Sequence, residues 1–235
     1  MKVALIGYGK MGKAIEEILI ERNHEVVAKL NQIPTKEELN DAEVAIEFTR
    51  PEAAFENIKA LVNLHVPVIS GTTGWYDKLD QIESLVKEKE SAFLTASNFS
   101  LGVNLFFELS AHLAKLMNPY KEQYHAELEE IHHTQKLDAP SGTAISIAEY
   151  LIENSSYENW SMEEKNEKTI PIVAKRIENV PGTHTVEYVS EVDTISITHT
   201  AHNRKGFALG AVIAAEWILD KKGVFSMKDV LGLTK

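Results

Sequence analysis

The chain has 235 residues, of which 44% are hydrophobic and 25% are charged, and its formal net charge is −11. These values are typical of a globular protein with one large domain or two small ones. Cysteine is absent, which excludes disulfides, thiolate metal sites and cysteine nucleophiles. The negative charge argues against a nucleic-acid partner. The sequence has no pattern of a signal peptide or a membrane span, so we expect a cytoplasmic protein with no membrane partner.

The first hundred residues alternate between short apolar segments and amphipathic segments. Strand patterns lie at residues 2–7, 24–30, 44–48, 66–70 and 92–95. Helix patterns follow the first, third and fourth of these strands, the last two of them over about 51–64 and 77–90. Because helices join parallel strands through right-handed crossovers, this order predicts the α/β class, with a Rossmann-type doubly wound parallel sheet.

The pattern changes after residue 98. An amphipathic helix is predicted over about 104–117, with four leucines on one face, at positions Leu105, Leu109, Leu113 and Leu116. Strand patterns follow at 124–133, 169–177, 184–188 and 194–200, with one helix near 141–154 and a polar loop at 154–168. Pro181-Gly182 marks a turn. This order predicts a second α+β domain with an open mixed sheet.

The last helix pattern, at about 207–220, is apolar enough to be buried. We expect this helix to pack against the first domain. The predicted dinucleotide-binding domain therefore comprises residues 1–98 and 204–235, and the predicted substrate domain comprises residues 99–203.

The segment Gly7-Tyr8-Gly9-Lys10-Met11-Gly12 follows the first strand and opens the first helix, as a dinucleotide-binding loop requires. Gly7 permits the tight turn, Gly9 lets a pyrophosphate approach the backbone, and Gly12 allows close contact between helix and strand. The N–H groups at the helix N-terminus suit a phosphate. An ordinary glycine-rich turn is the alternative, and the strand–helix units that follow disfavour it.

Asn31 lies near the end of the second strand, where an acidic residue commonly holds the ribose 2′-hydroxyl. Asparagine can bond that hydroxyl and does not repel a 2′-phosphate. Lys29 would attract such a phosphate unless it points into solvent. The sequence leaves the choice between NADH and NADPH open.

Two further loops leave predicted strands at the same edge of the sheet. Gly71-Thr72-Thr73-Gly74 follows the fourth strand, and Ala96-Ser97-Asn98-Phe99 leaves the fifth. Ligands of open α/β sheets bind at the carboxyl ends of the strands. We therefore expect Gly71, Thr72, Thr73 and the segment 96–99 to contact the cofactor. Each loop alone is equally typical of a plain turn, and Trp75 is expected either to stack on the cofactor or to cover the cleft.

The segment from residue 132 to residue 143 carries the second set of motifs. His132 and His133 provide two imidazoles that titrate near neutral pH, and Lys136 provides a cation three residues later, in an expected bend. Ser141 is predicted to be the N-cap of the next helix. These groups suit the delivery of a proton, although either histidine taken singly is as typical of a structural role.

Gly142 and Thr143 follow that N-cap and are predicted to present backbone N–H groups and a hydroxyl to a carboxylate. Because the chain is acidic, anionic ligands must rely on such amides and on local cations. The candidate cations are Lys10, Lys13, Lys29, Arg50, Lys136 and Arg204. A metal site would use His132, His133, His199 and His202, but no carboxylate stands at helical ligand spacing from them, so we predict no metal.

Together these motifs resemble those of the dihydrodipicolinate reductase family of lysine and diaminopimelate biosynthesis. The matching segments run in order along nearly the whole chain and lie at residues 7–12, 47–51, 71–74, 97–104, 130–144, 199–204, 207–208 and 210–211. The segment around Lys136–Thr143 is highly specific. The chain departs from the family at Asn31, where an acidic residue is usual, and at Ser97, where a small apolar residue or proline is more common.

The resemblance implies a Rossmann domain and a mixed-sheet domain that binds substrate and forms a homotetramer. It implies that His132 and Lys136 are the catalytic residues of proton transfer and that His133, Gly142 and Thr143 bind the substrate. NADH or NADPH is implied to lie along residues 7–12, 71–73 and 96–99. The implied reaction is hydride transfer to the small dicarboxylate 4-hydroxy-tetrahydrodipicolinate or to its dehydrated form.

Two alternatives remain open at this point. A related two-domain dehydrogenase acting on another amino or keto acid, such as aspartate, would keep the glycine loop but would not need the pattern from His132 to Thr143. A nucleotide-sensing protein without turnover would bind the cofactor and show no affinity for a dicarboxylate.

Overall fold

A computed structural model describes residues 1–164, 166–203 and 205–234. Their contacts divide the chain into two compact units, the first formed by residues 1–101 with 205–234 and the second by residues 102–203. Arg204, a candidate cation and the predicted start of the returning segment, lies outside the described residues. Within the described ranges, no helix is both long enough and apolar enough to cross a bilayer.

The strands are numbered in chain order: β1 (Lys2–Ile6), β2 (Glu25–Leu30), β3 (Val44–Glu47), β4 (Val68–Ser70), β5 (Ala92–Thr95), β6 (His125–His132), β7 (Asn159–Ser161), β8 (Thr169–Arg176), β9 (Gly182–Val189), β10 (Thr194–Ala201) and β11 (Gly223–Phe225). The α-helices are α1 (Lys10–Glu21), α2 (Pro51–Asn63), α3 (Leu79–Glu88), α4 (Leu101–Met117), α5 (Gly142–Glu153), α6 (Lys205–Ile218) and α7 (Met227–Val230).

The first unit is built on a six-stranded sheet in the order β11-β5-β4-β3-β1-β2, in which every neighbouring pair is parallel. The chain leaves β1 toward β2 and then returns to the other side of β1 at β3. This reversal is the topological switch point, where doubly wound sheets bind nucleotides. The predicted fold class is confirmed for this unit.

Apolar layers cover both faces of this sheet. One layer joins the strands to the buried face of α1, with Ile15 and Leu19, and to α6. The small residues of α6 let it approach closely, since a Cβ atom at Gly210 would lie only 1.7 Å from the carbonyl oxygen of Phe99. The other layer includes Ile58 and Leu61 of α2 and Ile82 of α3.

The second unit is built on a five-stranded mixed sheet in the order β10-β9-β6-β8-β7. The pairs β10–β9 and β9–β6 are antiparallel, whereas β6–β8 and β8–β7 are parallel. Residues of β6 and β9 alternate between buried and partly exposed, as expected for a sheet with one covered face. Apolar side chains of α4 and α5 form a common core with that buried face. The predicted mixed sheet is confirmed.

Several details differ from the sequence predictions. The leucines of α4 do share a face, but Leu105, Leu109 and Leu116 are 50%, 51% and 55% exposed. The buried face of α4 carries Phe106, Phe107, Ala111, Ala114 and Met117 instead, because aromatic and small residues fill the space over the sheet. The leucine repeat therefore predicted the helix but did not indicate which of its faces is buried.

Short elements were missed in regions of weak pattern. The segment predicted as a loop contains the three-residue strand β7, and two elements, β11 and α7, follow the last predicted helix. Gly182 begins β9 instead of lying in a turn, and the turn ends earlier, with the N–H of Val180 donating to the carbonyl of Ile177. Elements of three or four residues contain too few positions for a period to show.

Candidate active site

The glycine loop lies at the switch point between β1 and β3. Gly7 has φ +94, and a Cβ atom there would lie 2.0 Å from the carbonyl oxygen of Phe48. At Gly12 a Cβ atom would lie 2.3 Å from the carbonyl oxygen of Gly7. Both positions therefore require glycine, the first for its backbone conformation and the second for the close approach of α1 to the loop.

A cavity of about 410 Å³ opens at this edge of the sheet. Its lining brings together predicted cofactor residues of two loops, Gly9, Lys10 and Met11 with Gly71, Thr72 and Thr73, and also includes Phe48. Apart from its chain neighbours, no described residue has an atom within 4 Å of where a Cβ of Gly9 would stand, and among them no side chain caps α1. Open space before an uncapped helix N-terminus fits the pyrophosphate of a dinucleotide.

A buried carboxylate, which the sequence motifs did not indicate, joins two of the cofactor loops. Glu47 is fully buried at the end of β3 and accepts hydrogen bonds from the hydroxyls of Ser70 and Thr72, at 2.6 and 2.8 Å. It also accepts the backbone N–H of Thr49 at 3.0 Å and the hydroxyl of that residue. Trp75, 2% exposed, donates its indole N–H to the carbonyl of Thr72, so it supports the loop from beneath and does not face the cavity.

Asn31 lies beside the glycine loop, where its Oδ1 atom accepts the backbone N–H of Tyr8 at 2.8 Å. The side chain of Lys29 is 41% exposed, forms an ion pair with Glu16, and has its Nζ atom 4.8 Å from the ring centroid of Tyr8. The hydroxyl of Tyr8 donates to the same carboxylate. Lys29, the cation next to the expected ribose position, is therefore partly neutralised by Glu16.

The loop after β5 begins beside the end of β4. The N–H of Ala96 donates to the carbonyl of Ser70, which holds the start of the segment 96–99 next to β4. Phe99 is only 2% exposed, and its ring lies 5.7 Å from that of Phe48, so its side chain belongs to the core. Asn98 accepts the N–H of Ser100 and closes a turn. Any contact of Phe99 with a cofactor would therefore involve its backbone.

In the second unit, β6 ends at His132 and the chain turns at once. His132 is 8% exposed, His133 is half-buried, and the N–H of Lys136 donates to the carbonyl of His133, which confirms the expected bend. The ammonium of Lys136 lies 2.7 Å from the carboxylate of Asp138. His133 and the turns at 133–135 and 178–181 line a cavity of about 550 Å³.

The helix α5 begins where the sequence predicts. Ser141 is its N-cap, with its hydroxyl oxygen accepting the N–H of Ala144 at 3.1 Å. Gly142 is exposed and has no neighbour within 4 Å of a would-be Cβ, and Thr143 is half-buried. The first turn of a 12-residue helix is thus open to an anion.

Behind His132 lies a buried network that the sequence motifs also did not indicate. Glu130 has no exposed surface, its Oε2 atom is 2.8 Å from Nδ1 of His132, and its Oε1 atom accepts from Nη2 of Arg176 at 3.0 Å. Burial alone would raise the pKa of Glu130, but its contacts with His132, Ser141 and Arg176 outweigh burial and lower the pKa to about 2. Glu130 is therefore ionised at neutral pH.

His184 of β9 completes this network. Its Nε2 atom lies 3.2 Å from the hydroxyl of Ser141 and its ring centroid 5.1 Å from that of His132. Burial lowers the pKa of His184 to about 4, and the proximity of His132 adds to this effect. His184 is thus neutral at pH 7 and links the imidazole of His132 to the N-cap of α5.

Three of these side chains are of types that can ligate a metal ion and lie close together. Glu130, His132 and His184 each offer one ligand atom, and these atoms lie within 4.8 Å of one another. However, one oxygen of Glu130 is already paired with the guanidinium of Arg176. A cation in the cluster would face that positive charge, so the arrangement favours a hydrogen-bonded network. His199 and His202, which the metal alternative would have used, do not belong to this group.

The first unit is a doubly wound sheet with a nucleotide loop at its switch point. The second unit carries an imidazole, an ammonium and an open helix N-terminus. Together these features define the class of two-domain nicotinamide-dependent reductases. Family models agree with the two units: the N-terminal model of dihydrodipicolinate reductase matches residues 1–99, and the C-terminal model matches residues 102–231. The chain therefore belongs to the dihydrodipicolinate reductase family, which confirms the resemblance noted from the sequence.

Individual relatives support this assignment. The chain is 55% identical over 234 residues, 98% of each chain, to the 4-hydroxy-tetrahydrodipicolinate reductase of Christiangramia forsetii. It is 36% identical to the enzyme of the same name from Buchnera aphidicola, over 83% of this chain and 74% of the other. Among solved structures it is similar to the dipicolinate-bound dihydrodipicolinate reductase from Paenisporosarcina sp. TG-14, with a TM-score of 0.77, 25% identity, and coverage of 96% and 97% of the two chains.

Proposed function

We propose that this protein is a 4-hydroxy-tetrahydrodipicolinate reductase, which transfers a hydride from a nicotinamide cofactor to that cyclic dicarboxylate in lysine and diaminopimelate biosynthesis. The observation that carries the proposal is the arrangement in the second unit. His132 is followed by the turn that bears Lys136, and an open helix N-terminus begins at Gly142. These are the groups needed to hold a carboxylate and to deliver a proton, in a chain that belongs to the reductase family.

Each group of the second unit has a role in this proposal. The backbone N–H groups of Gly142 and Thr143 and the hydroxyl of Thr143 bind one carboxylate of the substrate, and His133 provides a further contact. Lys136 donates the proton that the reduced ring requires, and His132 relays or accepts a proton at its Nε2 atom. A lysine and a near-neutral imidazole can both perform such transfers at pH 7.

The first unit is proposed to hold NADH or NADPH. When bound, this cofactor supplies the hydride. The loop 7–12 binds the pyrophosphate through backbone N–H groups, Asn31 lies near the adenosine ribose, and residues 71–73 and 96–99 lie along the nicotinamide. The open space at Gly9 and the 410 Å³ cavity support this placement. Since Asn31 carries no charge, we propose that both cofactors are accepted.

The first experiment follows the absorbance at 340 nm with NADH and, separately, with NADPH. The substrate is made in situ by the preceding synthase from pyruvate and aspartate semialdehyde. Rapid oxidation is the expected result. A folded protein that binds NADH but oxidises neither cofactor would contradict the proposal, and a parallel titration with dipicolinate would then separate a sensor from an enzyme with a different substrate.

A substitution tests the proposed proton donor. Lys136→Ala should lower kcat by roughly 10²- to 10⁴-fold, the usual contribution of general acid–base catalysis. Lys121→Ala, at an exposed turn of the same unit, is the matched control. Full activity of Lys136→Ala at saturating substrate would exclude the role.

We also propose a homotetramer assembled through the second unit. Its support is the exposed apolar surface of that unit, which includes Leu105, Leu109 and Leu116 of α4. Light scattering coupled to size-exclusion chromatography should give four times the mass of the 26.3 kDa chain. A monomer across the micromolar range would contradict this part of the proposal.

A further inference from the structure

We propose that Glu130 is a positioning residue that orients His132 directly and, through Arg176, holds the loop that bears Lys136. The inference rests on the proposed function, since it takes His132 and Lys136 as the proton-transfer residues. It adds two residues, 46 positions apart in the chain, to the machinery of the reaction.

The first step is the contact with His132. The Oε2 atom of Glu130 lies 2.8 Å from Nδ1 of the imidazole, on the buried face of the sheet. Beside an ionised carboxylate, which can only accept, Nδ1 is the nitrogen expected to carry the proton, which leaves Nε2 for the reaction. The same carboxylate favours the imidazolium form that arises whenever Nε2 receives a proton. Glu130 thus fixes which nitrogen of His132 exchanges protons.

The second step is the contact with the lysine loop. Arg176 donates from Nη2 to Glu130 at 3.0 Å and from the same nitrogen to the carbonyl oxygen of Asp138 at 2.8 Å. Its Nε atom donates to the carbonyl oxygen of Lys136 at 3.3 Å. One guanidinium therefore joins the carboxylate behind His132 to the backbone on both sides of Leu137. Movement of the Glu130–Arg176 pair would displace both proton-transfer residues together.

The surroundings explain why this pair is ionised. The groups that face Glu130 are His132 on its own strand, Arg176 on β8, His184 on β9, Ser141 at the start of α5 and, more distantly, Lys136 and Asp138 of the loop. His184 is neutral at pH 7, so Arg176 is the permanent cation in direct contact with the carboxylate. A buried carboxylate with these partners is costly to leave half-paired.

The neighbouring ion pair provides a matched control. Glu129 and Lys175 precede Glu130 and Arg176 by one residue on the same two strands, so their side chains lie on the opposite face of the sheet. There the lysine side chain is 50% exposed and the glutamate side chain 34% exposed. The two pairs share strands and chemistry and differ in burial and in their access to His132.

The experiment compares Glu130→Gln, Arg176→Lys and Glu129→Gln with the wild type in the full-length chain. For each protein we would measure kcat and KM over pH 6 to 9 and record two-dimensional ¹⁵N–¹H spectra of labelled histidines, with His132→Gln used to assign the His132 signals. Thermal melting would report the stability of each variant.

Glu130→Gln should lower kcat roughly 10- to 100-fold with the substrate KM within about threefold. The spectra should show His132 changing from Nδ1-protonated to a mixture of tautomers. Arg176→Lys keeps the charge but loses the bonds to two carbonyl groups, so it should retain the tautomer and lower kcat. Glu129→Gln should change none of these quantities.

The proposal is overturned if Glu130→Gln leaves the tautomer of His132 unchanged, even when its melting temperature falls. Such a result would assign Glu130 a purely structural role. Failure of the proposed function would look different: the wild type would not oxidise either cofactor, while the histidine spectra would still decide whether Glu130 fixes the tautomer. If Glu130→Gln does not fold, Arg176→Lys decides instead. An unchanged kcat in that variant contradicts the link to the lysine loop.

Discussion

The carboxylate of Glu47 accepts the hydroxyl of Thr72 at 2.8 Å, across two adjacent parallel strands. The same hydroxyl oxygen also accepts the N–H of Thr49 at 2.8 Å, so one buried acid and one threonine hold the ends of β3 and β4 in fixed register. Both ends carry residues of the 410 Å³ cavity. The shape of the proposed cofactor site therefore depends on a group that does not itself line the cavity.

Glu47→Gln should weaken cofactor binding. The amide offers one acceptor where the carboxylate offers two, so at least one buried hydroxyl loses its partner, at about 1–3 kcal/mol. The Kd for NADH, measured by quenching of protein fluorescence, should rise roughly 5- to 100-fold. Glu52→Gln, at an exposed position in the first turn of α2, is the control. Equal affinities of the two variants would show that the loops hold their shape without Glu47.

Asn31→Asp should restrict the protein to NADH. The new carboxylate can still accept the N–H of Tyr8, so the loop is preserved, but it repels a 2′-phosphate. The ratio of kcat/KM for NADPH to that for NADH should fall about tenfold or more. The rate with NADH is the internal control for folding. An unchanged ratio would place the adenosine ribose away from Asn31.

Gly182→Ala should lower turnover through steric contact with His132. A Cβ atom at this position would lie 3.0 Å from Nε2 of the imidazole, the nitrogen proposed to react. Displacement of this ring should lower kcat on the order of 10- to 100-fold. Thr183→Ala changes the next residue of β9, which faces the other side of the sheet, and should be nearly silent. A kcat equal to that of the wild type would mean that Nε2 is not the reacting atom.

The free energy of unfolding should fall as the pH drops below about 6.5. Burial lowers the pKa of His184 to about 4, so the folded protein excludes a proton that the unfolded chain takes up between pH 6.5 and 4. This effect amounts to roughly 3 kcal/mol. Glu130, whose pKa is lowered to about 2, adds a loss at lower pH, from about 4.5 downward.

Urea denaturation from pH 7.5 to 4 measures this slope. His184→Gln should flatten it above pH 4.5 and leave the part at lower pH in place. Parallel curves for the variant and the wild type would mean that His184 takes up a proton without unfolding the protein.

The parallel sheet and its loops were predictable because the evidence is local. Gly7, Gly9 and Gly12 lie within six residues, and β1, β3 and β5 each contain three or four consecutive apolar residues. Likewise the N-cap Ser141 and the bend before Lys136 are fixed by their immediate neighbours.

The network behind His132 was not predictable, because its members come from distant parts of the chain. Glu130, Arg176 and His184 lie on three different strands and meet only through the pairing β8–β6–β9. Alternation along β6 does show that Glu130 and His132 share a face, and this was the one available signal. A period likewise identifies a helix but not the face that is buried, as the exposed Leu105 and Leu109 show.

The first unit begins at residue 1 but is not complete until its last elements have been made. β11 pairs with β5, and α6 shares a core with Ile15 and Leu19 of α1. On the ribosome these partners emerge only after the whole second unit, so until then the nascent sheet has one unpaired edge and one face covered by α1 without α6. The second unit is continuous in sequence and can finish folding first, although N-terminal domains usually fold earliest. The unit whose synthesis begins first is therefore the one whose last elements are synthesised last.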